Sequence, residues 1–255
     1  MTESKTTGGE SETDIFSERT QLKPYEYTDF LEYKDAIRNS YWVHTEFNFS
    51  GDVQDFKVNT TPAEKTVIKR TMLAIAQIEV QVKTFWAEIY DEMPKAEIGN
   101  VGMTFAESEV RHMDAYSHLL DILGITEDFE EVTDVPAIEE RIDYLDEYLE
   151  KSESDDKQGY VMSLLLFSTF VEHVSLFSQF LIMMSFDKHE KKFKGIANAV
   201  EATSKEEQIH GLFGVELVET IREENPGLFG KEFDEEVQEA CQQAFEAEME
   251  ILDWI

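Results

Sequence analysis

Four glutamates and two histidines stand where helices could aim them at one point. Twice the chain spells Glu-x-x-His, at Glu109 to His112 and at Glu207 to His210. A three-residue step keeps both side chains on one helical face, so each pair offers a carboxylate and an imidazole to the same ligand. Alternating steps of four and three pick out the rest. Ile68, Met72, Ile75, Glu79, Val82, Trp86 and Ile89 form an apolar seam holding one carboxylate. Phe105, Glu109, His112, Tyr116 and Leu119 form a second, and Leu165, Thr169, Glu172, Leu176 and Met183 a third. The fourth is Ile196, Val200, Thr203, Glu207, His210, Gly214, Leu217 and Ile221. Four helices are thus expected to turn an acid inward, in the order Glu, Glu-x-x-His, Glu, Glu-x-x-His.

Leaving four carboxylates uncompensated in a core would consume a folding stability of roughly 5 to 15 kcal/mol. No Lys or Arg lies on the four seams, whereas two divalent cations cancel four carboxylates charge for charge. Oxygen and imidazole ligands suit iron, manganese or one of each. The single cysteine, Cys241, excludes a Cys-type zinc site, an iron–sulfur cluster and an intramolecular disulfide framework, and fits a reducing, cytoplasmic compartment. In so acidic a chain a histidine often has an acid three residues before it by chance. The repeated order, rather than either pair alone, therefore carries the expectation.

The elements that must position these groups read as helices almost throughout, with no convincing period-2 runs, so the expected class is all-α, a helix bundle. A first helix is expected near Asp29 to Tyr41, followed by a loop containing Phe47, Phe49 and Gly51. Thr61, Pro62 and Glu64 then open a long second helix with a capping box and proline at its first position. It should run to about Tyr90, the third from Val101 to Leu123, the fourth from Pro136 to Glu150 and the fifth from Gln158 to Phe186. The sixth is expected from Phe193 to Glu224, Pro226 and Gly227 break the chain, and a seventh closes it. Residues 1–18 read as a disordered acidic tail and 19–255 as one domain. Between Val161 and Phe186 the only ionisable residues are Glu172 and His173. That run is long enough to span a bilayer, but an ionisable pair at mid-span favours a helix at the centre of a bundle, and no membrane association is expected.

The 55 acidic residues against 22 basic ones give a formal charge of −33, which repels a phosphate backbone, so no direct nucleic-acid binding is expected. Such an excess resembles the surfaces of proteins from high-salt, halophilic cytoplasms, where salt screens self-repulsion.

The ligand set resembles that of ferritin-like di-metal carboxylate proteins. More specifically, from roughly residue 20 onward the chain resembles the small, radical-generating subunit of class I ribonucleotide reductases. That resemblance matches Glu79, Glu109, His112, Glu172, Glu207 and His210 to the family's metal ligands. It matches Tyr116, four residues after His112, to the tyrosine that holds a stable radical once the metals have activated molecular oxygen. Trp42 and Glu206 match a tryptophan and an acid that lead the oxidising equivalent outward. The family more usually has Asp where Glu206 stands, and the segment after Trp42 departs from its pattern. The resemblance further implies a homodimer, a large catalytic subunit as partner in deoxyribonucleotide synthesis, and additional helices with a flexible tail beyond Ile255. A di-metal oxygenase or desaturase and an iron-storage bundle remain open, and neither requires Tyr116 or Trp42.

Overall fold

The structure, a computed structural model, describes residues 14–152 and 156–255. Among these there is no strand, and the all-α expectation holds. The helices are α1 (Leu31–Asn39), α2 (Ser50–Gln54), α3 (Pro62–Glu92), α4 (Ala96–Leu123), α5 (Thr126–Glu130), α6 (Pro136–Ser152), α7 (Lys157–Leu166), α8 (Leu176–Ser185), α9 (Lys194–Glu224) and α10 (Lys231–Trp254). Between α7 and α8, Phe167–Ser175 is π-helical, so that α7 and α8 form one rod with a widened middle. The core bundle is α3, α4, that rod and α9. Around it, α1 lies against α4 and α9, and α6 and α10 pack at the other side.

Local chemistry explains several boundaries. The Thr61 hydroxyl accepts from Glu64 N–H while the Glu64 carboxylate accepts from Thr61 N–H, closing the capping box that starts α3 at Pro62. Gly124, with φ at +73°, supplies the left-handed residue that ends α4. The start of α9 lacks a cap of its own. Asp52 of α2 serves instead, accepting from Gly195 N–H at 3.2 Å and Ile196 N–H at 2.7 Å.

Glycines set how closely the helices that carry the four seams approach. A Cβ at Gly102 would lie 2.5 Å from the Trp86 carbonyl oxygen, and one at Gly99 would strike the Tyr90 ring, so α4 rests almost directly on α3. On α9, a Cβ at Gly211 would sit 2.7 Å from the Ser168 carbonyl oxygen and one at Gly214 would be 2.5 Å from Ser168 Cβ. Each Glu-x-x-His helix thus carries a glycine pair spaced by three, turned toward a neighbour that supplies one of the remaining glutamates.

A second buried tie lies away from these helices' shared centre. The Arg141 guanidinium of α6 grips Glu248 of α10 through Nε at 2.9 Å and Nη2 at 2.7 Å, and donates Nη1 to the Ala74 carbonyl of α3 at 2.9 Å. Tyr144 and Gln179 complete the Glu248 carboxylate.

Three expectations need correction. The loop holding Phe47, Phe49 and Gly51 contains α2 and a π turn at Asp55–Asn59, because Asp52 must reach the start of α9. The tail assigned to residues 1–18 is too long. Residues 1–13 lie outside the described residues, but Ile15 is fully buried and its N–H donates to Glu224 at 2.7 Å. On the fifth helix, Leu165 and Thr169 are not part of the inward seam. They are only partly buried, while Val161, Leu164, Phe167, Ser168, Val171 and Ser175 face the core, because the π-helical stretch changes the period. The rod Lys157–Glu190 has the length and composition to cross a membrane, and 61% of its most apolar window is buried inside the bundle, with Glu172 at its middle.

Candidate metal centre

Glu79 of α3, Glu109 and His112 of α4, Glu172 of the π-helical stretch, and Glu207 and His210 of α9 are all fully buried and converge between the four long helices. Their ligand atoms form two nests. Glu79, Glu109, His112 and Glu207 make one, and Glu109, Glu172, Glu207 and His210 the other, with ligand atoms within 4.8 Å of one another in each. Glu109 and Glu207 belong to both. Their oxygens lie 3.2 Å and 2.9 Å from His112 Nδ1, and both lie 2.9 Å from His210 Nδ1.

The outer nitrogens of the two histidines settle which face each ring turns inward. The Ser108 hydroxyl donates to the Phe105 carbonyl at 2.7 Å, so at 3.0 Å it can only accept from His210 Nε2–H. The Glu206 carboxylate has no proton to give and accepts from His112 Nε2–H at 2.8 Å. In the neutral form of both rings the lone pair is therefore on Nδ1, facing the centre. A similar orientation acts on Glu172, whose Oε1 accepts from Trp86 Nε1–H at 2.8 Å and leaves Oε2 pointing inward.

Apart from His112 Nδ1 and Glu109 Oε2, which lie in hydrogen-bond contact at 3.2 Å, the atoms left inside are unpaired. Both oxygens of Glu79 and of Glu207, one each of Glu109 and Glu172, and His210 Nδ1 make no hydrogen bond despite their proximity. Orphaned buried acceptors at this density are rare, since each costs about 1–3 kcal/mol. Acceptors that crowd a common point without a donor between them fit cations, and two nests sharing two carboxylates fit two of them. The donor set of carboxylates and imidazoles suits iron and manganese. The electrostatics agree. Burial, with the neighbouring carboxylates adding to it, pushes Glu79 and Glu172 well above the usual carboxylate range. Burial alone would lower His112 and His210, but the facing Glu207 and Glu109 carboxylates overcome it and raise both. Without cations, protons must balance the cluster's charge.

Phe105 packs against His210 with ring centroids 4.2 Å apart and planes tilted by 34°, and Trp86 and Phe213 close the apolar wall behind it. Tyr116 is buried on the opposite side. Its hydroxyl donates to Thr203 Oγ1 at 3.2 Å, and burial raises its pKa above the ordinary phenol value. Tyr116 and Glu79 both line a mostly apolar cavity of 220 Å³, with Ala76, Val80, Met113 and Leu120. Trp42 is buried, stacks on His112 with an interplanar angle of 16°, and donates its indole N–H to Glu206 Oε2 at 3.1 Å. The structure therefore brings all nine residues singled out in the sequence into one assembly. Six form the two nests, Tyr116 lies beside them, and Trp42 with Glu206 forms a line outward from His112.

Sequence reasoning missed three contributors. Trp86 read only as a seam residue, Ser108 gave no signal, and Arg111 was passed over because it lies one position off the inward face. Arg111 is buried and binds both oxygens of Glu206 at 3.2 Å. Glu206 itself is a fifth buried carboxylate beside the four expected.

Comparison with known proteins bears on this arrangement. One relative is a probable ribonucleoside-diphosphate reductase small subunit of Invertebrate iridescent virus 3, 25% identical over 189 residues, 69% of this chain and 50% of the relative. Its counterpart in Invertebrate iridescent virus 6 is 28% identical over 182 residues, 66% of this chain and 50% of the relative. The chain thus spans about half the length of these curated relatives. The ribonucleotide reductase R2 subunit from Clostridium botulinum superposes with a TM-score of 0.82 at 15% identity, covering 94% of this chain and 81% of that one. An R2-like ligand-binding oxidase with a reconstituted Mn/Fe cofactor superposes with a TM-score of 0.77 at 19% identity, covering 90% and 80%. At such identities the structures speak for the fold. Residues 19–255, which hold every group of the centre, match the sequence model described as ribonucleotide reductase, small chain, and the chain belongs to that family.

Proposed function

We propose that this chain is a radical-generating small subunit of ribonucleoside-diphosphate reductase. In this reading Glu79 and His112 would hold one metal ion and Glu172 and His210 the other, with Glu109 and Glu207 within reach of both. The ions are iron, manganese or one of each, as in the Mn/Fe cofactor named for the R2-like neighbour. When bound, they supply the redox chemistry that activates molecular oxygen. The protein's own residues do the rest. Ser108 and Glu206 hold the imidazoles with Nδ1 inward, and the wall of Phe105, Trp86 and Phe213 keeps bulk water out. Tyr116 is kept as a phenol by burial, with its O–H held on Thr203 Oγ1. The surrounding core shields the ring from solvent, which is what a long-lived radical requires. Trp42, hydrogen-bonded through Glu206 to His112, leads toward the surface and a separate large catalytic subunit, where ribonucleotides are reduced. A homodimer and a cytoplasmic setting complete the reading.

The observation that carries it is the pair of nests sharing Glu109 and Glu207, with a buried tyrosine beside them, in a member of this family. The test is to load metal-free protein with ferrous or manganous ion, add oxygen and record electron paramagnetic resonance spectra alongside Tyr116→Phe. Wild type should take up close to two ions and form a tyrosyl radical, and the variant should bind as much metal without that signal. A fully loaded wild type with no tyrosyl radical would remove the radical assignment.

A second reading, an oxidase acting on a small organic ligand, is favoured by the apolar cavity of 220 Å³ that reaches Glu79 and Tyr116. The loaded protein would then retain an apolar ligand and form no persistent Tyr116 radical.

A further inference from the structure

We propose that Arg111 is a positioning residue of the metal centre. Its guanidinium balances Glu206, holds that carboxylate outside the two nests, and thereby fixes which nitrogen of His112 faces inward. The inference rests on reading His112 as a ligand. Five carboxylates, Glu79, Glu109, Glu172, Glu206 and Glu207, are fully buried around this point. Two divalent ions cancel four of them. The fifth needs a fixed positive charge, and Arg111 is the one in contact with it.

The geometry gives that charge a direction. Arg111 Nη1 donates to Glu206 Oε2 and Nη2 to Glu206 Oε1, both at 3.2 Å, a two-pronged grip that fixes the carboxylate plane. The same Nη1 donates to the Trp42 carbonyl at 3.0 Å, and Nε donates to Glu107 at 3.0 Å, so the guanidinium is itself held from two sides. Its carbon lies 4.5 Å from the Tyr41 ring centre and 5.9 Å from that of Trp42, which packs it in place. Glu206 Oε2 is left to accept from Trp42 Nε1–H and His112 Nε2–H at once. With Arg111 gone, Glu206, buried 2.8 Å from His112, would be the one carboxylate of the five left without a fixed partner for its charge. It would turn, and the hydrogen bonds to both rings would go with it.

The test uses the full chain with Arg111→Met, which keeps a long stem and loses the charge and the donors, and with the double variant Arg111→Met, Glu206→Gln. Two readouts are taken. One is the Trp42 indole N–H resonance and its exchange rate in metal-free protein, assigned among the three tryptophans by Trp42→Phe. The other is the affinity for manganous ion measured by calorimetry. In Arg111→Met the indole signal should shift and exchange faster, and manganese affinity should fall roughly 10- to 100-fold, as for other groups that orient a ligand. The double variant keeps an oxygen for both rings without the stranded charge, and should recover the indole signal and most of the affinity. Wild-type values for both readouts in Arg111→Met would overturn the proposal and leave the guanidinium a packing group. Should Arg111→Met not fold, the double variant decides: recovery of folding supports charge balance, and failure as severe overturns it. A wild type that takes up no manganese refutes the metal reading instead, and is told apart because the indole resonance is recorded without metal.

Discussion

Gly102→Ala tests whether close helix contact sets the spacing of the metal centre. A Cβ at this position falls 2.5 Å from the Trp86 carbonyl oxygen, against 3.4 Å for ordinary contact, so α3 and α4 must part by about 0.9 Å. The Trp86 oxygen is backbone, and no rotamer relieves it; Ile89 Cγ2 of the same helix lies closer still. Alanine gains about 1 kcal/mol of helix propensity over glycine, and overpacking costs about 1–3 kcal/mol, leaving a net loss of up to about 2 kcal/mol. For a chain of this size that lowers the melting temperature by up to about 8 °C. The larger effect should fall on the site. Glu79 rides on α3 and Glu109 with His112 on α4, so the parting separates the first nest, and displacements near 1 Å at a catalytic centre cost about a hundredfold in rate. Calorimetric melting and manganese titration of Gly102→Ala and wild type should show weakened binding of one ion before the other. A variant that melts at or above wild type and binds both ions equally well would refute the idea that the glycines fix the spacing.

Other consequences are as direct. Removing metal should lower the melting temperature, because each ion present at a hundredfold over its dissociation constant contributes about 2.7 kcal/mol to stability; equal melting of verified metal-free and loaded protein would contradict a metal-held core. Acid should loosen the start of α4. Burial would raise the Glu97 pKa, but the Arg19 guanidinium and the N–H groups of Glu26 and Tyr27 hold it at about 2, below its ordinary 4.5. A depressed carboxylate stabilises above its unfolded value and loses that contribution as pH falls toward its folded one, so about 2 of about 3 kcal/mol should be gone by pH 3. Urea melts of Glu97→Gln between pH 5 and pH 3 should lack that part of the slope. Glu248→Ala should cost about 3–5 kcal/mol by stranding the Arg141 charge, whereas Arg141→Met with Glu248→Leu should recover most of it in the same unfolding assay.

Where the backbone is plain α-helix, the sequence pattern reaches the side chains that meet. Glu79, Glu109, His112, Glu207 and His210 lie on helices whose 3.6-residue period is undisturbed, and the structure sets all five around one point. Glu172 also faces inward, yet the seam drawn around it fails at Leu165 and Thr169, because periodicity carries no sign of where a helix widens. Arg111 was hidden by the same rule that exposed His112, since a residue one step from an inward ligand reads as outward until α1 and Trp42 cover it. Glu206 and Glu207 are consecutive yet both buried, one turned to Trp42 and the other to the nests, which needs a neighbour on either side of α9. Ile15 and α2 owe their places to distant partners, Glu224 and the start of α9. Local pattern does not contain such pairings.

The π-helical stretch Phe167–Ser175 changes how this part of the chain can be compared with others. A π turn accommodates one residue more than an α turn in nearly the same rise, so the residues beyond it are rotated back by about 100° relative to an unbroken α-helix. Position on this rod is therefore a matter of counting. Relaxation of the rod to uniform α-helix at its present length would swing Glu172 off the centre, whereas loss of a single codon between Phe167 and Val171 along with that relaxation would leave it facing inward. An alignment that forbids a one-residue gap here will pair Glu172 with the wrong column in any relative whose rod is α-helical throughout, and will report a missing acid where the acid has only moved by one place.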